Sequence, residues 1–234
     1  MVHKTISALS CCLVLMIGCA GGNGNLKRET PDLATSITIT GHAGSIYRAY
    51  WPDKSLMAEG PVVGNKKNGP WKLYFKGTNG KSVMAEVIFK NDLLDGKMKE
   101  FFPNGKLMIE SEYRMGVLNG RYMSYYESGI GKVEAFYRDG KRSGKAFEYF
   151  DNGNTRENAY YQNDLRDGMS TTFHYNGKRE AMGRYIAGKK NGMWELFDQE
   201  MGMLEARGMY TNDKKTGKWT FYDKTGKVTE KTFD

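Results

Sequence analysis

The sequence predicts an all-β fold: an elongated single-layer antiparallel sheet of about eight stacked β-hairpin repeats of 24 residues. Three observations predict it. Gly96, Gly120, Gly144, Gly168 and Gly192 are each 24 residues apart and Gly217 follows after 25, so one structural unit recurs and stacks. Five positions after each leading glycine stands an aromatic residue: Tyr74, Phe101, Tyr125, Tyr149, Phe173, Phe197 and Tyr222, with Tyr50 opening the series. A second glycine near position nine, as in Pro103-Asn104-Gly105 and Asp151-Asn152-Gly153, marks a hairpin turn between two apolar runs. A further aromatic near position 17, at Tyr113, Tyr137, Tyr161 and Tyr185, completes each unit as strand, turn, strand, loop.

Composition agrees with that class. Leucine is sparse, while 15 tyrosines and 11 phenylalanines favour a pleated, half-buried surface, and the 29 glycines recur in register at the turns. A repeat array of this kind is one quasi-linear body, with a length of roughly 75 Å from the ~4.8 Å strand spacing.

Taken in order, residues 1–19 read as a lipoprotein-like signal peptide: Lys4, an apolar run from Ile6 to Ile17, then Gly18-Cys19. The run is too short to span a bilayer and has the length of a signal-peptide core. Met16-Ile17-Gly18-Cys19 resembles a bacterial lipobox, which implies lipidation at Cys19 and a cell-envelope location, at the outer membrane if the source is Gram-negative. All three cysteines lie in this segment, so the remainder has no thiol chemistry. Residues 20–36 read as a flexible polar tether. The repeat array occupies 37–234, where the alternation in Ile37-Thr38-Ile39-Thr40 predicts a capping strand.

Units such as Asn68-Gly69-Pro70-Trp71-Lys72-Leu73-Tyr74-Phe75 and Lys215-Thr216-Gly217-Lys218-Trp219-Thr220-Phe221-Tyr222 resemble the bacterial variant of the MORN repeat, a group that includes the YwqK-type antitoxins. The resemblance covers residues 45 to 234. It implies successive hairpins in one layer and a role in contacts with proteins and, in some members, phospholipids. Neutralisation of a toxin in the cytoplasm, implied by the antitoxin label, is the alternative reading; an export signal ending at Cys19 disfavours it.

Within a one-layer sheet, the position-five aromatics are expected to form the packing spine. Position two, with Trp71, Met98, Tyr122, Ala146, Ser170, Trp194 and Trp219, lies an odd number of residues away and therefore on the opposite face. Its less uniform row, above all Trp71, Trp194 and Trp219, is the candidate for contacting a partner.

No catalytic constellation is legible. His42 and His174 stand far apart, and no cysteine or histidine pair has metal-ligand spacing, so neither a metal nor a cofactor is expected. A hydrolase would need an acidic or histidine cluster assembled only by folding. Charge is the stronger signal: the chain carries a net +8, and Lys66, Lys67, Lys141, Arg142, Lys189, Lys190, Lys214 and Lys215 recur at one place in the repeat. Stacking brings them to one edge, interrupted at Leu93-Leu94 and Val117-Leu118. Nucleic-acid recognition motifs are lacking. The expectation is a non-enzymatic binding or scaffold module for a protein or an anionic envelope lipid or polysaccharide.

Overall fold

In the computed structural model the described residues are 45–234; the expected signal peptide, Cys19, the tether and the strand at Ile37–Thr40 lie outside them. The described residues form a single-layer antiparallel sheet in which every strand pairs with the next in sequence, from Ile46–Tyr50 at one end to Val228–Phe233 at the other. It is an elongated ribbon, not a closed barrel. Nineteen strand segments are present, but Lys66–Lys67, Leu93–Leu94 and Lys141–Arg142 each continue, after one irregular residue, into the strand that follows. The segments therefore make the sixteen strands that eight hairpins require.

The two edges of the ribbon use different turns. At one edge the position-nine glycine closes the hairpin. Phe102 N–H donates to Lys106 O and Gly105 N–H to Phe102 O, each at 2.8 Å, with Gly105 at φ +82°. A residue with a Cβ is disfavoured there, which accounts for the recurring Asn-Gly.

The expected loops at the other edge are equally tight hairpins. Two residues suffice, both at positive φ, as in Asn91-Asp92 (51° and 69°), Met115-Gly116 (50° and 81°) and Asn163-Asp164 (50° and 69°). These turns stack by a repeated bond: Asp92, Gly116, Gly140, Asp164, Gly188 and Asp213 each donate their N–H to a carbonyl of the previous unit, on Lys67, Leu94, Leu118, Arg142, Arg166 and Lys190. Where the turn residue is Asp, its carboxylate also accepts the backbone N–H of Lys67, Arg142 or Lys190 at 2.7–2.8 Å. Such charge-assisted bonds add to the bare turn.

The expected spine is on the wrong face. Position two is the interior row: Trp71, Met98, Ala146, Ser170, Trp194 and Trp219 are 0–5% exposed. Position-seventeen rings join it, making a chain of edge-to-face contacts Tyr185–Trp194–Tyr210–Trp219–Phe233 with centroids 5.1–6.3 Å apart. The position-five rings lie on the opposite face, as the odd spacing required, beside positions one and three. Lys145, Phe147 and Tyr149 pack together there, and Tyr125 reaches Met123. They are half-exposed, except Tyr74 at 5%, and Tyr50 is 56% exposed. The inversion has a simple cause. Position five ends its strand at a register shift, so it borders a turn, while position two sits mid-strand with neighbours on both sides.

A tryptophan fits position two only where the strand before it carries glycine. Gly60, Gly183 and Gly208 each lie under an indole, and an added Cβ would come within 2.3 Å of Trp71, Trp194 or Trp219. Each indole N–H then donates to a carbonyl ten residues back, on Pro61, Arg184 or Met209, at 3.0–3.2 Å. Units with smaller residues at position two carry larger ones opposite, such as Ala159 facing Ser170.

Candidate functional site: the basic turn edge and the interior cleft

The basic pairs do not lie in loops; they open the strands just after the two-residue turns. Successive side chains alternate between faces in a strand, so each pair splits. Lys66, Lys141, Lys189 and Lys214 are exposed, whereas Lys67 is buried and Arg142, Lys190 and Lys215 are half-buried. The second members project onto the interior aromatic rings. Lys67 Nζ is 5.0 Å from the Phe89 ring centre, the Arg142 guanidinium 4.7 Å from Tyr161, Lys190 Nζ 4.4 Å from Trp194, and Lys215 Nζ 4.2 Å from Trp219. They cover the rings and share cation–π attraction with them. Burial pushes the Lys67 and Lys190 ammonium pKa values down, against the opposing pull of Asp92 and Asp213.

Half of the expected basic edge is thus internal structure. The other half is extended by residues that the sequence reading missed. Lys90, Arg114 and Arg138 are exposed on the strands entering the turns, and they pair with Leu93, Val117 and Lys141. They bridge the expected apolar gaps at Leu93-Leu94 and Val117-Leu118. Their 24-residue spacing from Lys66 was a signal available in the sequence. The resulting edge alternates cations with exposed apolar side chains, among them Val63, Leu93, Val117, Leu165 and Ile186.

The three candidate tryptophans are not contact residues. At 1%, 2% and 0% exposure, Trp71, Trp194 and Trp219 are packed against glycine below, tyrosine beside and, for the last two, lysine above.

On the same interior face the ring ladder is interrupted. Position two is Ala146 and then Ser170 in consecutive units, and a cleft of ≈ 400 Å³ opens there, lined in part by Glu148, Arg156, Glu157, Arg166, Thr172 and Glu180. Glu157, 5% exposed, accepts hydrogen bonds from Arg166 Nη2 at 2.7 Å and Ser170 Oγ at 3.0 Å. Burial alone would lower the Arg166 pKa; the bond and charge of Glu157 outweigh it and hold the pKa above the usual value. Arg142 Nη1 stands 3.9 Å from Glu148. Among the described residues no group of three or more His, Cys, Asp and Glu is placed to hold a metal ion. His174, beside the cleft, has its Nε2 within 3.2 Å of Phe197 O, a contact that ties two units together.

A family model, the MORN repeat variant, matches residues 94–115, 118–141, 142–163 and 215–233, so repeats of that kind are present over part of the chain. No curated protein matches the chain. Among solved structures, the crystal structure of TarM is similar at 14% identity over 56% of this chain and 20% of that chain, with a TM-score of 0.22, too low to carry an argument.

Proposed function

We propose that this protein is a non-enzymatic repeat scaffold held at the cell envelope by a lipid on Cys19, which engages an anionic envelope component through its basic turn edge. The observation that carries the reading is the placement of Lys66, Lys90, Arg114, Arg138, Lys141, Lys189 and Lys214 along one edge, exposed and in register. A rigid row of cations matches a surface of repeated negative charge better than a single ion. Each basic residue near an anionic bilayer contributes roughly 1 kcal/mol, screened beyond a Debye length of ~8–10 Å. A lipid at Cys19 would keep the edge near such a surface and raise its effective concentration. Exposed Val63, Leu93, Val117, Leu165 and Ile186 beside the cations favour an interface with both charge and apolar depth.

The test is co-sedimentation of the full chain with vesicles containing phosphatidylglycerol, at low and high salt. Reversal of only the outward cations, Lys66→Glu/Lys141→Glu/Lys189→Glu/Lys214→Glu, leaves the interior lysines and arginine in place. Binding that falls with salt and with the four reversals supports the edge. Binding indifferent to both overturns it. Cys19→Ser, with a fatty-acid analogue as label, checks the anchor separately.

A further inference from the structure

The interior face changes character along the ribbon. Each hairpin but the last has an extra, bulged residue just after the glycine turn, at Met57, Met84, Met108, Lys132, Arg156, Glu180 and Glu205. In the first half it is methionine; Met57 belongs to an apolar core with Trp71, Leu73 and Phe89, and Met84 packs against that core. Toward the other end the Trp–Gly ladder resumes at Gly183 and Trp194. Between them the buried residues are the small Ala146, Ala159, Ser170 and Ala181, and the bulged residues Arg156 and Glu180 line the cleft beside them. A bulge re-aims a side chain, and bulges often lie beside functional sites.

The units with Ala146 and Ser170 at position two also carry the Glu157–Arg166 ion pair, whose carboxylate is buried. Burying a carboxylate with an arginine contributes little net stability. The unit before them has Tyr122 at position two, and the unit after has Trp194 over Gly183. Two consecutive units without a large side chain there are a local departure of the kind expected where a ligand is held.

The geometry points to this cleft as a binding site for a short neutral saccharide. Its volume falls in the range of small-ligand sites. The polar lining offers donors and acceptors side by side: Glu157 pairs with Arg166 and Glu148 with Arg142 from beside the cleft, while Arg156 and Glu180 add one charge of each sign. An ionic ligand would have to upset that balance of three cations and three carboxylates. A polyol need not, because a hydroxyl both donates and accepts. What remains open suits hydroxyls: Thr172 and Glu180 make no side-chain hydrogen bond among the described residues. Phe150 and Tyr175, whose rings meet edge to face 5.3 Å apart, supply ring surface for the C–H faces of a sugar. This site is independent of the basic edge.

Calorimetric titration of the full chain with chitotriose, maltotriose and, as an acidic counterpart, trigalacturonate tests the assignment. Thr172→Trp places an indole among the residues that line the cleft, and so fills it. Binding of a neutral probe that is insensitive to salt, lost at least tenfold in that variant and weakened severalfold in Glu180→Gln, is the expected result. Should the filled variant fail to melt cooperatively, Glu180→Gln and Thr172→Val decide in its place. No millimolar binding of either neutral probe, a preference for trigalacturonate, or binding unchanged by the variants overturns the site.

Discussion

Gly183→Ala isolates the packing rule that organises the interior face. Gly183 is not at positive φ, so alanine brings no backbone strain; the new methyl simply occupies the space of the Trp194 ring, 2.3 Å from Cδ2 and Cε2. The indole would have to lift. It would then leave its bond to Arg184 O and its edge contacts with Tyr185 and Tyr210. Overpacking commonly costs ~1–3 kcal/mol, and complete loss of a buried tryptophan ~3–5 kcal/mol, so the upper part of the first range is expected. At about 2–4 °C per kcal/mol for a chain of this size, the melting temperature should fall by roughly 5–10 °C. Trp194→Ala should cost more. The double variant puts alanine opposite alanine, close to the natural Ala159 and Ser170 pair, so its cost should fall short of the sum by ~1–3 kcal/mol. Denaturant titration followed by both far-ultraviolet circular dichroism and aromatic fluorescence measures the cycle and reveals any partial unfolding of the array. Additivity within about 0.5 kcal/mol, or a Gly183→Ala protein as stable as the parent, would refute the reasoning.

Two further outcomes follow from the same structure. Trp219→Ala should destabilise by ~3–5 kcal/mol and Tyr222→Ala far less, since the first side chain is fully buried and the second half-exposed; equal melting curves would restore position five as the spine. Tyr74 donates to Glu59 Oε1 at 2.7 Å, and burial, then Glu59, pushes its pKa up to about 12, while the same bond lowers that of Glu59. The tyrosine's share of stability is present below the unfolded value of ~10 and lost as pH rises through about 12. The glutamate's share is present above ~4.3 and lost as pH falls through its lowered value. Tyr74→Phe should therefore lose stability relative to the parent across the neutral range, with the difference vanishing at both extremes in denaturant titrations stepped through pH. A difference that does not vary with pH would sink the linkage.

Much of this was legible in the amino-acid order alone. Spacing of Gly96, Gly120 and their successors determined the class, the hairpin count and the unit boundaries, because glycine is needed wherever a recurring bulge or turn takes positive φ. Parity along a strand likewise placed positions two and five on opposite faces. Which face is interior was decided only by tertiary structure. A single strand does not reveal what lies beside it, and burial of Trp194 depends on Gly183 in the strand before and Tyr210 in the strand after. The split of each lysine pair has the same origin, since Lys189 and Lys190 look equivalent until the hairpin turns one outward and the other over a ring. The cleft needed folding most of all. Glu148, Arg156, Glu157, Arg166, Thr172 and Glu180 belong to successive strands, and only cross-strand register gathers them.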